Sequence, residues 1–151
     1  NFDSAIINGM TRVDFYVLES GTQDTLFRFI CRLTEKAWRK GNRIFLHCQD
    51  DSMAKNLDKL LWTYRDISFL PHALVSENEH CPIGLGVAVE PPTNYDLLIN
   101  LDEQWPPFFA RFERLVEIVG TDEDNKALAR QRYKFYKERG YPLNTFDRAN
   151  G

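Results

Sequence analysis

The chain is 151 residues and 17.7 kDa, 43% hydrophobic and 13% aromatic, with a formal net charge of −3. That length suits one domain with a core of its own, and the composition excludes a disordered, collagen-like or disulfide-stapled chain. No apolar run approaches the ~20 residues a membrane helix needs, no stretch reads as a signal peptide, and an acidic pI of about 5.6 argues against nucleic-acid binding over the whole surface.

Residues 1–9 precede Met10 and join no pattern. They read as a leader or flexible N-terminus ahead of a single domain over 10–151. Val13 to Leu18 is a β-rich apolar run. From Thr22 to Lys40, Leu26, Ile30, Leu33 and Ala37 recur at one-turn spacing, so a helix is expected, with Gly41 as its stop. Ile44 to Cys48 is a second compact strand, and Asp51 or Ser52 can cap a helix through Leu57, Leu60, Leu61 and Trp62. Ser68 to His72 reads as an apolar loop and Ser76 to Pro82 as a polar one, with Gly84-Leu85-Gly86 in a further loop. A short strand is expected at Val87 to Val89, stopped by Pro91-Pro92. Tyr95 to Leu101 reads as a strand buried on both faces, and Pro106-Pro107 opens a helical turn through Phe109 and Phe112. Leu115 to Val119 is expected to be the last strand and Asp122 to Arg139 a long terminal helix. Strands alternating with helices predict an α/β domain: a mainly parallel or mixed sheet of about five strands, helices on both faces, Rossmann-like but without a phosphate-binding loop.

Cys31, Cys48 and Cys81 are an odd, scattered set, which suits reduced thiols in a cytoplasmic protein. The dipeptides His47-Cys48 and His80-Cys81 lack zinc-ligand spacing, and neighbours on a strand point to opposite faces. No metal and no cofactor are expected. The run Leu97 to Glu103 resembles an apolar strand ending in an acidic pair, Asp102 and Glu103, that could serve a nucleotide-dependent enzyme. No G-x-x-x-x-G-K-[S/T] accompanies it. Asp50-Asp51 is better explained as acidic residues favoured at a helix N-terminus than as a metal pair. No G-x-S-x-G elbow is present, and no catalytic residue is assigned.

The terminal helix carries the clearest signal. Residues 126–139 hold six of the nineteen basic residues and one of the twenty-two acidic ones, a net +5, so the remainder carries −8. At about 100° per residue, Lys126, Arg130, Tyr133, Lys134 and Lys137 share roughly one third of the helix circumference. Leu128 and Phe135, flanked by Ala129 and Tyr136, are expected to face the core. A cationic stripe holding a tyrosine suits either nucleic-acid phosphates or an acidic peptide, whose carboxylate an arginine grips through paired hydrogen bonds. A second candidate surface is Leu60-Leu61-Trp62, with Tyr64 and Phe69-Leu70-Pro71, where large apolar residues would anchor a protein partner.

Five ordered pieces carry a family likeness: Phe15-Tyr16-x-Leu18; Ala37-Trp38-Arg39-x-Gly41-x-Arg43; Leu57-Asp58-x-x-Leu61-Trp62; Ser68-Phe69-x-Pro71-His72-x-Leu74; and Leu128-Ala129-Arg130-x-Arg132-Tyr133-Lys134-x-Tyr136 with Gly140 and Leu143-Asn144-Thr145. Together they resemble the chi subunit of bacterial DNA polymerase III, from about Met10 to Thr145. Residues Glu77 to Thr93 depart from the family pattern, with Pro91-Pro92 in place of a Trp-Pro, as do those after Thr145. The resemblance implies a non-catalytic accessory subunit of the clamp-loader assembly in the bacterial cytoplasm. It further implies two partners: the psi subunit, and the acidic C-terminal tail of single-stranded DNA-binding protein, which ends in a phenylalanine with a free carboxylate. DNA is then met only indirectly, and no membrane is involved. Carried over by motif, the tail site falls on Lys126, Arg130, Tyr133 and Lys134, and the psi surface on Trp62, Phe69, Leu70 and Pro71. The alternatives are a single-stranded DNA-binding module using the same basic helix, or an enzyme using Asp102 and Glu103.

Overall fold

A computed structural model of the protein describes residues 10–19, 22–63 and 70–148. Residues 1–9 and Phe69 lie outside the described residues. The elements run β1 (Arg12–Leu18), α1 (Gln23–Arg39), β2 (Ile44–Cys48), α2 (Asp51–Thr63), β3 (His72–Leu74), β4 (Ile83–Val87), β5 (Leu97–Asn100), a single 3-10 turn (Phe109–Arg111), β6 (Arg114–Val119), α3 (Glu123–Glu138) and β7 (Leu143–Arg148). Seven strands form one all-parallel sheet in the order β3-β4-β2-β5-β6-β1-β7. The α/β class is as expected, while the strand count rises from five to seven and no antiparallel strand is present among the described residues.

Strand alternation divides the core into two layers. Tyr16, Leu18, Ile44, Leu46, Leu97, Ile99 and Val116 face α1 and α2. Val13, Phe15, Phe45, Leu98 and Leu115 face the other way, against Phe109, Phe112, Ala129 and Tyr136 of the 3-10 turn and α3. The sheet therefore separates α1 and α2 from α3.

Local chemistry sets the helix ends. The Thr22 hydroxyl accepts from the Thr25 amide at 3.4 Å to open α1, and the Asp122 carboxylate accepts from the Asn125 amide at 3.1 Å to open α3. The cap of α2 is Asp50, which accepts from the Met53 amide at 2.8 Å; neither Asp51 nor Ser52 takes that role, and the acidic pair after β2 is a helix start. Gly41 and Gly140, at φ of +95° and +83°, end α1 and α3, each followed by a 6→1 hydrogen bond, from Asn42 to Ala37 and from Tyr141 to Tyr136.

Three expectations are corrected. The strand placed at Val87–Val89 lies at Ile83–Val87 and ends where Ala88 turns to a positive φ of 50°. The two glycines assigned to a loop sit inside that strand, where a Cβ on Gly84 would come within 2.4 Å of Tyr95 Oη and one on Gly86 within 2.7 Å of Phe45 Cζ. Neighbouring aromatics fill the space that side chains would take. Nor is Leu115–Val119 the last strand, because the polar segment Leu143–Arg148 pairs in parallel along β1.

Cys31 and Cys48 are buried and Cys81 is partly exposed. Burial pushes the Cys31 and Cys48 thiols up to about 12, Asp50 adding to the effect at Cys48 and Arg28 opposing it at Cys31. A thiolate-selective reagent at neutral pH is thus expected to label Cys81 alone in the native protein and all three cysteines in denaturant, as peptide mapping will show.

Candidate functional site on the terminal helix

The placement of α3 follows from three residues that point inward: Ala129, Arg132 and Tyr136 are buried. Opposite them, β6 presents Glu117, whose side chain is fully buried. Arg132 donates from Nε to Glu117 Oε1 at 2.9 Å, Tyr136 donates its hydroxyl to Oε2 at 2.6 Å, and the Asn100 amide lies 3.0 and 3.2 Å from the two oxygens. Arg132 also donates to the Glu103 carbonyl at 2.7 Å, and Asn100 to the Gln104 carbonyl at 3.1 Å. Burial pushes the Glu117 carboxyl up, opposed by Arg132 and by the hydroxyl and amide donors. The Tyr136 phenol is pushed up by burial and then by the Glu117 charge, which keeps it a donor.

Phe135, expected to face the core, is half-buried and packs against it, while Leu128 is half-buried. Phe135 stacks on Trp105 with centroids 3.6 Å apart, and the Arg139 guanidinium lies 3.8 Å from its ring centre. The sequence pattern assigns Arg132 no inward role and gives none to Glu117. A signal for both was present: a glutamate inside the apolar run Leu115 to Val119, and an arginine on the side of the helix away from the cationic stripe.

On that outer side lie the four candidate residues. Arg130 is exposed and makes no ion pair among the described residues. The Lys126 ammonium is 3.6 Å from Glu123 and that of Lys134 3.9 Å from Glu138, both near-surface pairs on the same helix, which hold little energy and yield readily to a better anion. Tyr133 is half-buried, its ring meeting Phe15 edge-on at 5.3 Å. Val17 belongs to the same aromatic cluster. The helix thus offers three cations beside an aromatic wall with an apolar floor, the chemistry needed to hold a carboxylate next to an aromatic side chain.

The second candidate surface is more divided. Trp62 is 55% exposed at the end of α2, and its ring meets that of His72 at 4.8 Å. Buried His72 places Nδ1 2.5 Å from the Leu70 carbonyl and Nε2 3.1 Å from the Asp58 carbonyl, fixing the segment below the indole. Leu70 itself is core, 1% exposed, and Pro71 is half-buried.

Asp102 and Glu103 form a turn after β5. One Asp102 oxygen accepts from the Glu103 amide at 2.7 Å and the other lies 3.5 Å from His47 Nε2. Burial holds the His47 imidazole below its ordinary range, with Asp102 opposing. The adjoining crevice of about 310 Å³, at the carboxyl ends of the strands, is rimmed by Asp102, Glu103 and Asp122, and the one cation among its lining residues, Arg132, is held by Glu117. That charge arrangement disfavours a phosphate ligand. Among the described residues no helix is long and apolar enough to cross a membrane.

Comparison with known proteins settles the family. Residues 10–144 match the family model described as DNA polymerase III chi subunit, HolC. The chain belongs to that family. It is 44% identical over 135 residues to the DNA polymerase III subunit chi of Pseudomonas aeruginosa, covering 89% of this chain and 94% of that one. It is 31% identical to the chi subunits of Escherichia coli, over 90% of this chain and 97% of that one, and of Haemophilus influenzae, over 87% and 93%. Membership of the chi family makes the chain a replication accessory subunit and not the polymerase's catalytic subunit.

The inward and outward sides of α3 make opposite predictions. Glu117→Leu leaves the Arg132 charge buried without a carboxylate and is expected to cost about 3–5 kcal/mol of stability in urea unfolding. Arg130→Ala, on the exposed side, is expected to stay within about 0.5 kcal/mol of the parent.

Proposed function

We propose that this chi-family chain bridges the clamp loader to protein-coated single strands. The outer face of α3 binds the acidic C-terminal tail of single-stranded DNA-binding protein, and the surface around Trp62 binds the psi subunit. The observation that carries the tail site is the juxtaposition on one helix face of Arg130, which makes no ion pair among the described residues, the weakly paired Lys126 and Lys134, and Tyr133 seated on Phe15. Arg130 and Lys134 hold the terminal carboxylate, Tyr133 walls the final phenylalanine, and Lys126 attracts the aspartates upstream. The psi surface is supported by the exposure of Trp62, a residue type that anchors interfaces; its ring meets His72, while Pro71 is half-buried and Leu70 is core. Phe69, assigned to the same surface by motif, lies outside the described residues.

Calorimetric titration with a peptide of the tail tests the first site. Removing its last phenylalanine is expected to abolish measurable binding, and equal affinity for the two peptides would refute the assignment. Arg130→Ala is expected to weaken binding of the intact peptide by about 1.5–3 kcal/mol, the range of a charge-assisted hydrogen bond.

For the second site, Trp62→Ala is expected to weaken psi binding by about 2 kcal/mol or more while leaving the tail peptide's affinity unchanged. Co-purification and titration with psi measure the first effect. A variant that loses both partners together would point to a folding defect and not to an interface.

A further inference from the structure

A second cationic surface lies on the opposite face of the sheet from α3. Along α1 and onto the residue that caps its C-terminus, Arg32, Lys36 and Lys40 follow one another at four-residue spacing, a rise of about 6 Å each. They form one wall of a groove of about 320 Å³, whose other side is Arg114 from β6 and whose floor is Tyr16 and Phe29. No carboxylate lines this groove among the described residues. Arg32, Lys36 and Lys40 are exposed and make no ion pair there. Arg114 alone has a carboxylate partner, Asp14 at 2.6 Å, and it also donates to the Tyr16 hydroxyl at 2.8 Å.

The aromatic floor continues to the surface. Phe29 meets Tyr16 at 5.7 Å, and Tyr16 stacks on Phe146 of the edge strand β7 at 5.1 Å and 29°. Phe146 is 38% exposed, which leaves its ring open to a stacking partner. Charge distribution agrees: residues 22–40 carry five basic and two acidic side chains, so the acidic excess of the chain lies outside both this helix and α3.

We infer that the α1 groove binds single-stranded nucleic acid, with Arg32, Lys36 and Lys40 tracking successive phosphates and Phe146 stacking a base. A row of cations at regular spacing beside an exposed aromatic ring fits a chain that repeats phosphate and base, the combination single-strand binders use. The α3 cations also recur every four residues, but two of them sit beside carboxylates and their tyrosine is half-buried. Here no carboxylate lines the groove among the described residues and the ring is open, which suits a repeating phosphate and base chain better than a single terminal carboxylate. The inference stands apart from the tail site, from which the sheet divides it.

The test is fluorescence anisotropy of the full chain with labelled oligothymidine and oligouridine at low salt, across a salt series. Three or four neutralised phosphates predict a slope of log affinity against log salt of about −2 to −3. Lys36→Glu with Lys40→Glu, both at exposed positions, is expected to reduce affinity at least tenfold, while Arg130→Ala leaves it unchanged. Phe146→Ser, with both lysines retained, is expected to weaken binding several-fold without altering the salt slope. Binding of either oligonucleotide that is lost in the lysine variant supports the proposal, and a preference between the two identifies DNA or RNA as the source. Oligonucleotide binding that survives the lysine variant, or that disappears in Arg130→Ala, would overturn it. Tighter binding to an acidic peptide of equal charge would do the same.

Discussion

The buried carboxylate of Glu117 is the constraint around which the functional half of the molecule is arranged. Taking one carboxylate and one guanidinium out of water costs several kcal/mol per ion unless each finds partners. Here the oxygens of Glu117 face donors from Arg132, Tyr136 and Asn100, and Arg132 spends a further N–H on the Glu103 carbonyl. These five groups come from four elements: β5, β6, α3 and the turn after β5. A sheet, a helix and a loop are therefore held in one relative arrangement by bonds that an apolar interface would not dictate. Aromatic packing of Phe109, Phe15 and Tyr136 supplies the area, while the ionic network supplies the registration.

That registration decides which cations the protein displays. Arg132 and Tyr136 are successive turns on one side of α3, so residues about 120–160° round the helix, Lys126, Arg130 and Lys134, must face outward. A helix slipped by one residue would expose Arg132, bury Arg130 and leave Glu117 facing the wrong side chain. The energetic division follows the same line. Interactions that hold the fold are buried and costly to break, whereas the outward cations are paired weakly or not at all, so they are available to a ligand at little expense to stability.

The parts of this fold that could be read in the sequence are those where burial follows a simple period. β1, β2, β5 and β6 are apolar runs buried on both faces, and α1 shows a one-turn apolar recurrence between Thr22 and Gly41. Where a structural element depends on its neighbours, the period is silent. β4 is a strand because Tyr95 and Phe45 occupy the space above Gly84 and Gly86, and β7 is one because the edge of β1 offers free ladder positions to a polar segment. β3 is three residues long and has no room for a pattern. In the site, the stripe on α3 was legible from angular position, but the inward role of Arg132 was not, since its partner lies fifteen residues away on a strand. Leu70 likewise reads as a surface anchor from its neighbours and proves to be core, with its carbonyl beside the ring of buried His72.

The sheet's position between α3 and α1 changes what the acidic total of −3 means. Residues 22–40 and 126–139 are each net positive, one on either side of the sheet, and everything else is strongly acidic. Screened interactions fade beyond about 8–10 Å at physiological salt, so two cationic faces separated by a full sheet act on their ligands independently, and each sees its own field rather than the net charge. Acidic surface around a small cationic face also narrows its choice: a ligand short enough to stay on the face is attracted, and a long polyanion that overruns it is repelled. On α3 that argument favours a short acidic tail over a duplex. On α1 the same limit predicts a small footprint of a few nucleotides, consistent with the three exposed cations the groove provides.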